Sequence, residues 1–172
     1  LEIRDIAGAT GDGAVCTSGG VVCRPGIVTS VVETAEQLLD QRHLERSKLA
    51  SMLGLAKEAS ERFAEDERIE VEWDKIWSIE PILFDETLLG FCKEAILEVT
   101  DTAHRLPSGP LHDAAEVSRA GVPTVMLFVQ SLRGLSHTKL EDTKEEHLEL
   151  AVAALDSLTS KTIDWVANGG GR

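Results

Sequence analysis

Two short stretches hold the side chains best suited to chemistry. One is LPSGPLHDA at 106–114, a turn bounded by Pro107, Gly109 and Pro110 that delivers His112 and Asp113 to the start of a helix. The other is SLRGLSHTKLED at 131–142, which carries His137 with Glu141 close behind it. A neutral imidazole is the commonest metal ligand, and a nearby carboxylate can orient it. Gly134 gives the second stretch the freedom to bend. A zinc centre needs roughly three or four ligands, so spacing alone also admits a plainer reading of His137 as an exposed or hydrogen-bonded side chain. His112 with Asp113 likewise admits a second reading, as a helix N-terminal cap with a local hydrogen bond. His43, His104 and His147 have no comparable setting. No phosphate loop, nucleophile elbow or H-E-x-x-H helix occurs.

The elements that must position these stretches follow from periodicity. The opening, with Gly8, Gly11 and Gly13, reads as irregular. AVCTSGGVVCRPG then reads as a β-branched strand interrupted at Gly19-Gly20 and closed by Pro25-Gly26. TSVVETAEQLLDQRH is ambiguous: Val31, Val32, Ala35, Leu38 and Leu39 share a helical face, while Val31, Ala35 and Leu39 also share a strand face. Leu49, Met52, Leu53, Ala56, Ala59 and Phe63 recur at helical spacing, predicting an amphipathic helix over 46–66. Ile69, Val71 and Trp73 alternate with Glu70, Glu72 and Asp74, the pattern of a strand solvated on one face. Asp85 is placed to cap a helix with Leu88, Leu89, Cys92, Ala95, Ile96 and Val99 on its apolar side. A short helix over 112–120 ends at Gly121. VPTVMLFV, continuous and apolar, suits a strand buried on both faces, and its exit leads directly to His137. Thr143 with Glu146 forms a capping box that opens a long last helix. Strands alternating with helices indicate an α/β protein, with Pro81 as the natural boundary between two halves. In open α/β sheets, ligands gather where strands end, which is where the 131–142 loop stands.

The two motif loops also carry a resemblance. Ser108, Gly109, His112, Asp113 and Ala114, followed across an apolar strand by Gly134, Leu135, Ser136, His137 and Glu141, resemble the end of the N-carbamoyl-amino-acid hydrolase and allantoate amidohydrolase family. That family belongs to the aminoacylase-like two-metal hydrolases. The likeness extends more weakly back to about residue 14. It implies that His137 is a ligand to one of two zinc or manganese ions. It also implies that Arg42, in LLDQR, grips the substrate carboxylate, a task suited to the parallel donors of a guanidinium. Without the resemblance, Arg42 would read as one half of a surface salt bridge. Family members have a strand where 28–41 is ambiguous, so a strand is expected there.

The resemblance implies a carboxy-terminal part of such an enzyme. Residues 1–80 would form part of a ferredoxin-like β-β-α-β lid or dimerisation domain, and 81–172 the C-terminal segment of an α/β/α metallohydrolase catalytic domain. The chain is expected to begin within a longer protein, and no catalytic side chain is assigned to it, because the family's catalytic Glu and remaining ligands have no counterpart here. Two positions depart from the family pattern. Thr29 stands where an Asn substrate contact is usual, and Leu111 replaces the Gly before the motif His, so the substrate-facing set is Arg42, Thr29, Leu111 and His112. The implied substrate is an N-carbamoyl amino acid or related linear amide, and the implied assembly a homodimer through the lid. An aminoacylase or dipeptidase, or a non-catalytic dimerisation module retaining the scaffold, are the alternatives.

Bulk properties narrow the partners. Thirty acidic against seventeen basic residues give a net charge of -13, which repels nucleic-acid phosphates and anionic lipid. No apolar run approaches the roughly 20 residues of a membrane span. Cys16, Cys23 and Cys92 form no C-x-x-C pair and read as reduced thiols of a cytoplasmic protein.

Overall fold

The computed structural model describes residues 2–171. Seven regular elements follow one another: α1 (Glu2–Thr10), β1 (Val15–Arg24), β2 (Thr34–Arg42), α2 (Arg46–Glu67), α3 (Glu86–Val99), α4 (Asp113–Arg119) and α5 (Glu145–Ala167), with a 3-10 turn at Leu132–Gly134. The architecture is mixed α/β, and the chain divides into two compact units, Leu1–Pro81 and Ile82–Arg172.

In the first unit, β1 and β2 form an antiparallel hairpin in which Val15 faces Arg42 at one end and Arg24 faces Thr34 at the other. The register slips between Ser18 and Gly20, so Gly19 is an extra residue without a partner. Glycine tolerates that bulge because no side chain has to be packed there. The ambiguous segment therefore becomes strand from Thr34 onward, where ladder bonds outweigh helical spacing. Residues 27–33 instead form the connecting turn, held by Ser30 N–H to Ile27 O at 3.1 Å and Glu33 N–H to Arg24 O at 2.8 Å.

Contrary to the irregular opening expected, residues 2–10 form α1. Ile6 explains it: this side chain is buried against Met52 and Ala56 of α2, with Ala14, Cys16 and Leu39 around them. Burial of one apolar face can stabilise a helix too short to persist alone. Gly11 (φ 96°) and Gly13 (φ 83°) supply the backbone reversal into β1. Gln41 ties the hairpin to the helix through its Nε2, which donates to Met52 O at 3.0 Å and Cys16 Sγ at 3.3 Å. Helix α2 ends at Arg68, whose left-handed φ of 57° lets Ile69 N–H reach Ala64 O at 3.0 Å.

The strand expected at 69–74 is not formed. Among the described residues these have no ladder partner. Trp73 is held by α2 instead, its Nε1–H donating to Ser60 Oγ at 2.9 Å with Lys57 Nζ 5.7 Å from the ring. The unit is thus α-β-β-α, with an added first helix and without the fourth element of a β-β-α-β unit.

The second unit is built on α3 against α5, with Cys92, Ala95 and Leu158 buried between them. Asp85 caps α3 as expected, accepting from Leu88 N–H at 2.9 Å. Lys161 of α5 reaches Glu94 and Glu98 of α3 at 3.2 and 3.1 Å. The segment 122–129 belongs to no regular element, and Val125 and Leu127 pack on the α3–α5 core. It is not a strand buried on both faces: residues 123–127 are half-buried, Phe128 is exposed, and no ladder forms among the described residues. Its inner face rests on helices, while one backbone bond, Asp85 N–H to Thr124 O at 3.1 Å, ties it to the start of α3. Helix α4 ends at Gly121 with φ 85°. None of the helices is long and apolar enough to cross a membrane among the described residues.

Candidate functional site

Both motif loops belong to the second unit: the 131–142 loop follows segment 122–129 directly, and His112 of the other touches Phe128 of that segment. His112 is the residue before α4; its carbonyl accepts from Ala115 N–H at 2.9 Å, but its side chain makes no cap bond. The imidazole turns to Phe128 instead, edge to face with ring centroids 5.9 Å apart. The cap reading of His112 is thereby corrected. Leu111 beside it is 52% exposed, and Asp113 is exposed.

The approach to this loop is held by a pair without a signal in the sequence. Arg105 Nη1 and Nη2 donate to Glu86 Oε2 and Oε1 at 2.9 and 2.6 Å, a two-pronged bond between the loop and the first turn of α3. These donors hold the Glu86 carboxyl below its ordinary range. Nothing in the spacing of Arg105 and Glu86 foretells the pairing, since they lie on different elements.

Loop 131–142 closes on itself. Leu132 N–H donates to Asp142 O at 2.7 Å, and Thr143 Oγ1 donates to Gln130 O at 2.9 Å. Thr143 therefore seals the loop and does not form the expected capping box; α5 begins at Glu145 after Lys144, with no side-chain cap, and Glu146 pairs with Lys144 at 3.1 Å. Within the loop the chain bends at Arg133 (φ 58°), Gly134 (φ 66°) and His137 (φ 56°). Glu141 accepts from the backbone N–H of His137 at 2.8 Å, not from its ring. The His137 side chain is exposed.

The other two substrate-facing residues lie in the first unit. Arg42 ends β2, half-exposed, with Nε 2.7 Å from Asp40 Oδ2. Thr29 is exposed in the turn at the opposite end of the hairpin. The strand between, Thr34 to Arg42, spans about 26 Å at the usual rise per residue, so the fold separates these two positions within one copy.

As a metal donor His137 fits in type, an exposed imidazole on a shaped loop. It does not fit in number: among the described residues no group of three or more His, Cys, Asp or Glu is placed to hold an ion. The three cysteines are free thiols, with Cys23 exposed and Cys92 buried, and burial pushes the Cys92 thiol up.

Comparison with known proteins gives a consistent family. The chain is 28% identical over 165 residues to an uncharacterized hydrolase of Haemophilus influenzae, covering 92% of this chain and 38% of that protein. It is 29% identical over 145 residues to the allantoate amidohydrolase of Bacillus subtilis, covering 84% of this chain and 35% of that one. Among solved structures, an amidase of the hydantoinase/carbamoylase family from Burkholderia multivorans superposes with a TM-score of 0.82 at 26% identity, over 92% of this chain and 38% of that chain. The chain thus spans little more than a third of the length of these relatives. The family model for peptidase family M20/M25/M40 matches residues 3–161, and this chain belongs to that family.

Proposed function

We propose that this chain supplies a substrate-carboxylate grip and one metal-ligand loop to a metal-dependent amidohydrolase cleaving the C–N bond of N-carbamoyl amino acids or related linear amides. The observation that carries the reading is the packing of His112, on one motif loop, against Phe128, shortly before the other motif loop begins at Ser131. The loop bearing His137 follows Phe128 in the chain and is closed at its base by Thr143 and Gln130. The likeness to an allantoate amidohydrolase and to a carbamoylase-family amidase supports the same class of reaction.

In this reading His137 donates one imidazole to a zinc or manganese ion. The ion's contribution, when bound, is Lewis-acid polarisation of the scissile carbonyl. Arg42 holds the substrate carboxylate through its guanidinium fork. Leu111 and His112 line the approach to the carbonyl, with Leu111 narrowing the space that a glycine would leave. Thr29, at the far end of the hairpin, reaches a substrate only from a second copy, which is the role proposed for a homodimer built through residues 1–80. That unit serves as the lid, and 81–172 as the end of the catalytic domain.

The test is a zinc titration of the chain followed by imidazole nitrogen resonances. The ring of His137 is expected to shift while the other four histidines stay nearly still, and His137→Ala should remove the response. Weak binding is expected, because a lone ligand forms no closed site. Metal-loaded chain should not hydrolyse N-carbamoyl amino acids; a zinc response spread over other histidines, or clear turnover, overturns the proposal.

A further inference from the structure

We infer that Glu141 is the positioning residue of His137, acting on its backbone and not on its ring. The inference rests on the proposed role of His137 and adds how the loop presents it. Among the described residues only Arg68, Arg133 and His137 have a left-handed backbone without being glycine. Arg68 terminates a helix, where that conformation is ordinary. Arg133 lies in the 3-10 turn before Gly134. His137 ends no helix, so its conformation needs another source of stabilisation.

That source is the Glu141 carboxylate. Glu141 N–H donates to Thr138 O at 3.0 Å, which curls 138–141 into a turn. The curl returns the Glu141 carboxylate to the His137 N–H at 2.8 Å. A carboxylate accepting a backbone N–H is among the stronger hydrogen bonds available to an exposed loop. The neck bonds, Leu132 N–H to Asp142 O and Thr143 Oγ1 to Gln130 O, fix the frame within which this happens. Neither ring nitrogen of His137 has a hydrogen-bond partner among the described residues, so the imidazole is left available for a ligand. A carboxylate that oriented the ring would occupy one of those nitrogens.

The experiment uses the full chain and its Glu141→Ala and Glu141→Gln variants, with two readouts. One is hydrogen exchange at the His137 amide, with the Leu132 amide as internal standard; the other is the zinc-induced shift of the His137 ring, using zinc alone as probe. Glu141→Ala should speed exchange at His137 by about tenfold, the loss of one charge-assisted bond, with Leu132 unchanged. The zinc concentration needed for half the ring shift should rise at least about threefold, the cost of a loop conformation no longer held in advance. Glu141→Gln keeps an acceptor oxygen and should recover most of both. Unchanged exchange at His137 in Glu141→Ala overturns the inference, as does equal acceleration at Leu132, which would mean that the whole loop had loosened. Loss of zinc response in both variants with His137 exchange intact also overturns it, making Glu141 a ligand. If zinc never shifts the His137 ring in the unaltered chain while Glu141→Ala speeds only His137 exchange, the positioning stands and the metal reading falls.

Discussion

Met52 has no exposed surface, and among the described residues it is the largest side chain so enclosed. It sits where α1, β1 and α2 come together, with Ile6 and Ala56 as its buried neighbours. Replacing it by Ala removes three heavy atoms from a small core that has little means of collapsing. Met52→Ala should therefore destabilise the first unit by about 2–5 kcal/mol, read from chemical denaturation followed at Trp73. A loss below about 0.5 kcal/mol, the size typical of surface changes, would contradict the packing described. Met52 was legible from spacing because apolar positions three and four apart on a helix must share a face. His137 was legible as a residue, through its motif, but its conformation was not. Sequence puts Glu141 within reach of it; only the turn at 138–141 decides that the carboxylate meets the backbone.

At the level of elements, the four later helices were readable from the spacing of their apolar positions and their end signals, although among them α3 alone has a side-chain N-cap. Asp85 does what its position promises, and Gly121 stops α4. The strands were harder, since an apolar or alternating run becomes a strand only when a neighbour offers a ladder. Residues 34–42 found one in β1, whereas 69–74 and 122–129 have none among the described residues. Helix α1 was hidden by Gly8 within it and by Gly11 and Gly13 just after it, and rests on a single buried Ile6. Thr143 could have capped α5 but gives its hydroxyl to Gln130, a contact invisible to local pattern. The Arg105–Glu86 bond, equally non-local, makes a pH prediction. Its donors depress the Glu86 pKa in the folded chain, so the tether is fully present above the ordinary glutamate range and is lost as pH falls through the lowered folded value. Amides at 106–112 should exchange faster, relative to their intrinsic rates, once acid protonates Glu86. Glu86→Gln should loosen them even at neutral pH, and the pair should weaken with salt because both side chains are exposed. Amide protection indifferent to both would show that other contacts hold the loop.

The molecule as a whole combines a net charge of -13 with large apolar side chains left in solvent. Val21, Ile76, Val152 and Ile163 are each more than 60% exposed. Repulsion between like-charged surfaces opposes their association at neutral pH, and that opposition fades as the carboxylates protonate. Turbidity should climb steeply as pH approaches the isoelectric value near 4.7, and high salt should bring it on at higher pH. Clear solutions through that range would mean that the exposed apolar positions do not meet one another.

Because the 131–142 loop is fastened at its own base, what happens at its tip is mechanically insulated from its surroundings. Residues 136–140, all exposed, can be exchanged for others without asking segment 122–129 or α5 to move, provided Leu132, Asp142 and Thr143 keep the base shut. Such a tip can be retuned, or grafted onto a related scaffold, while the framework beneath it goes on folding as before.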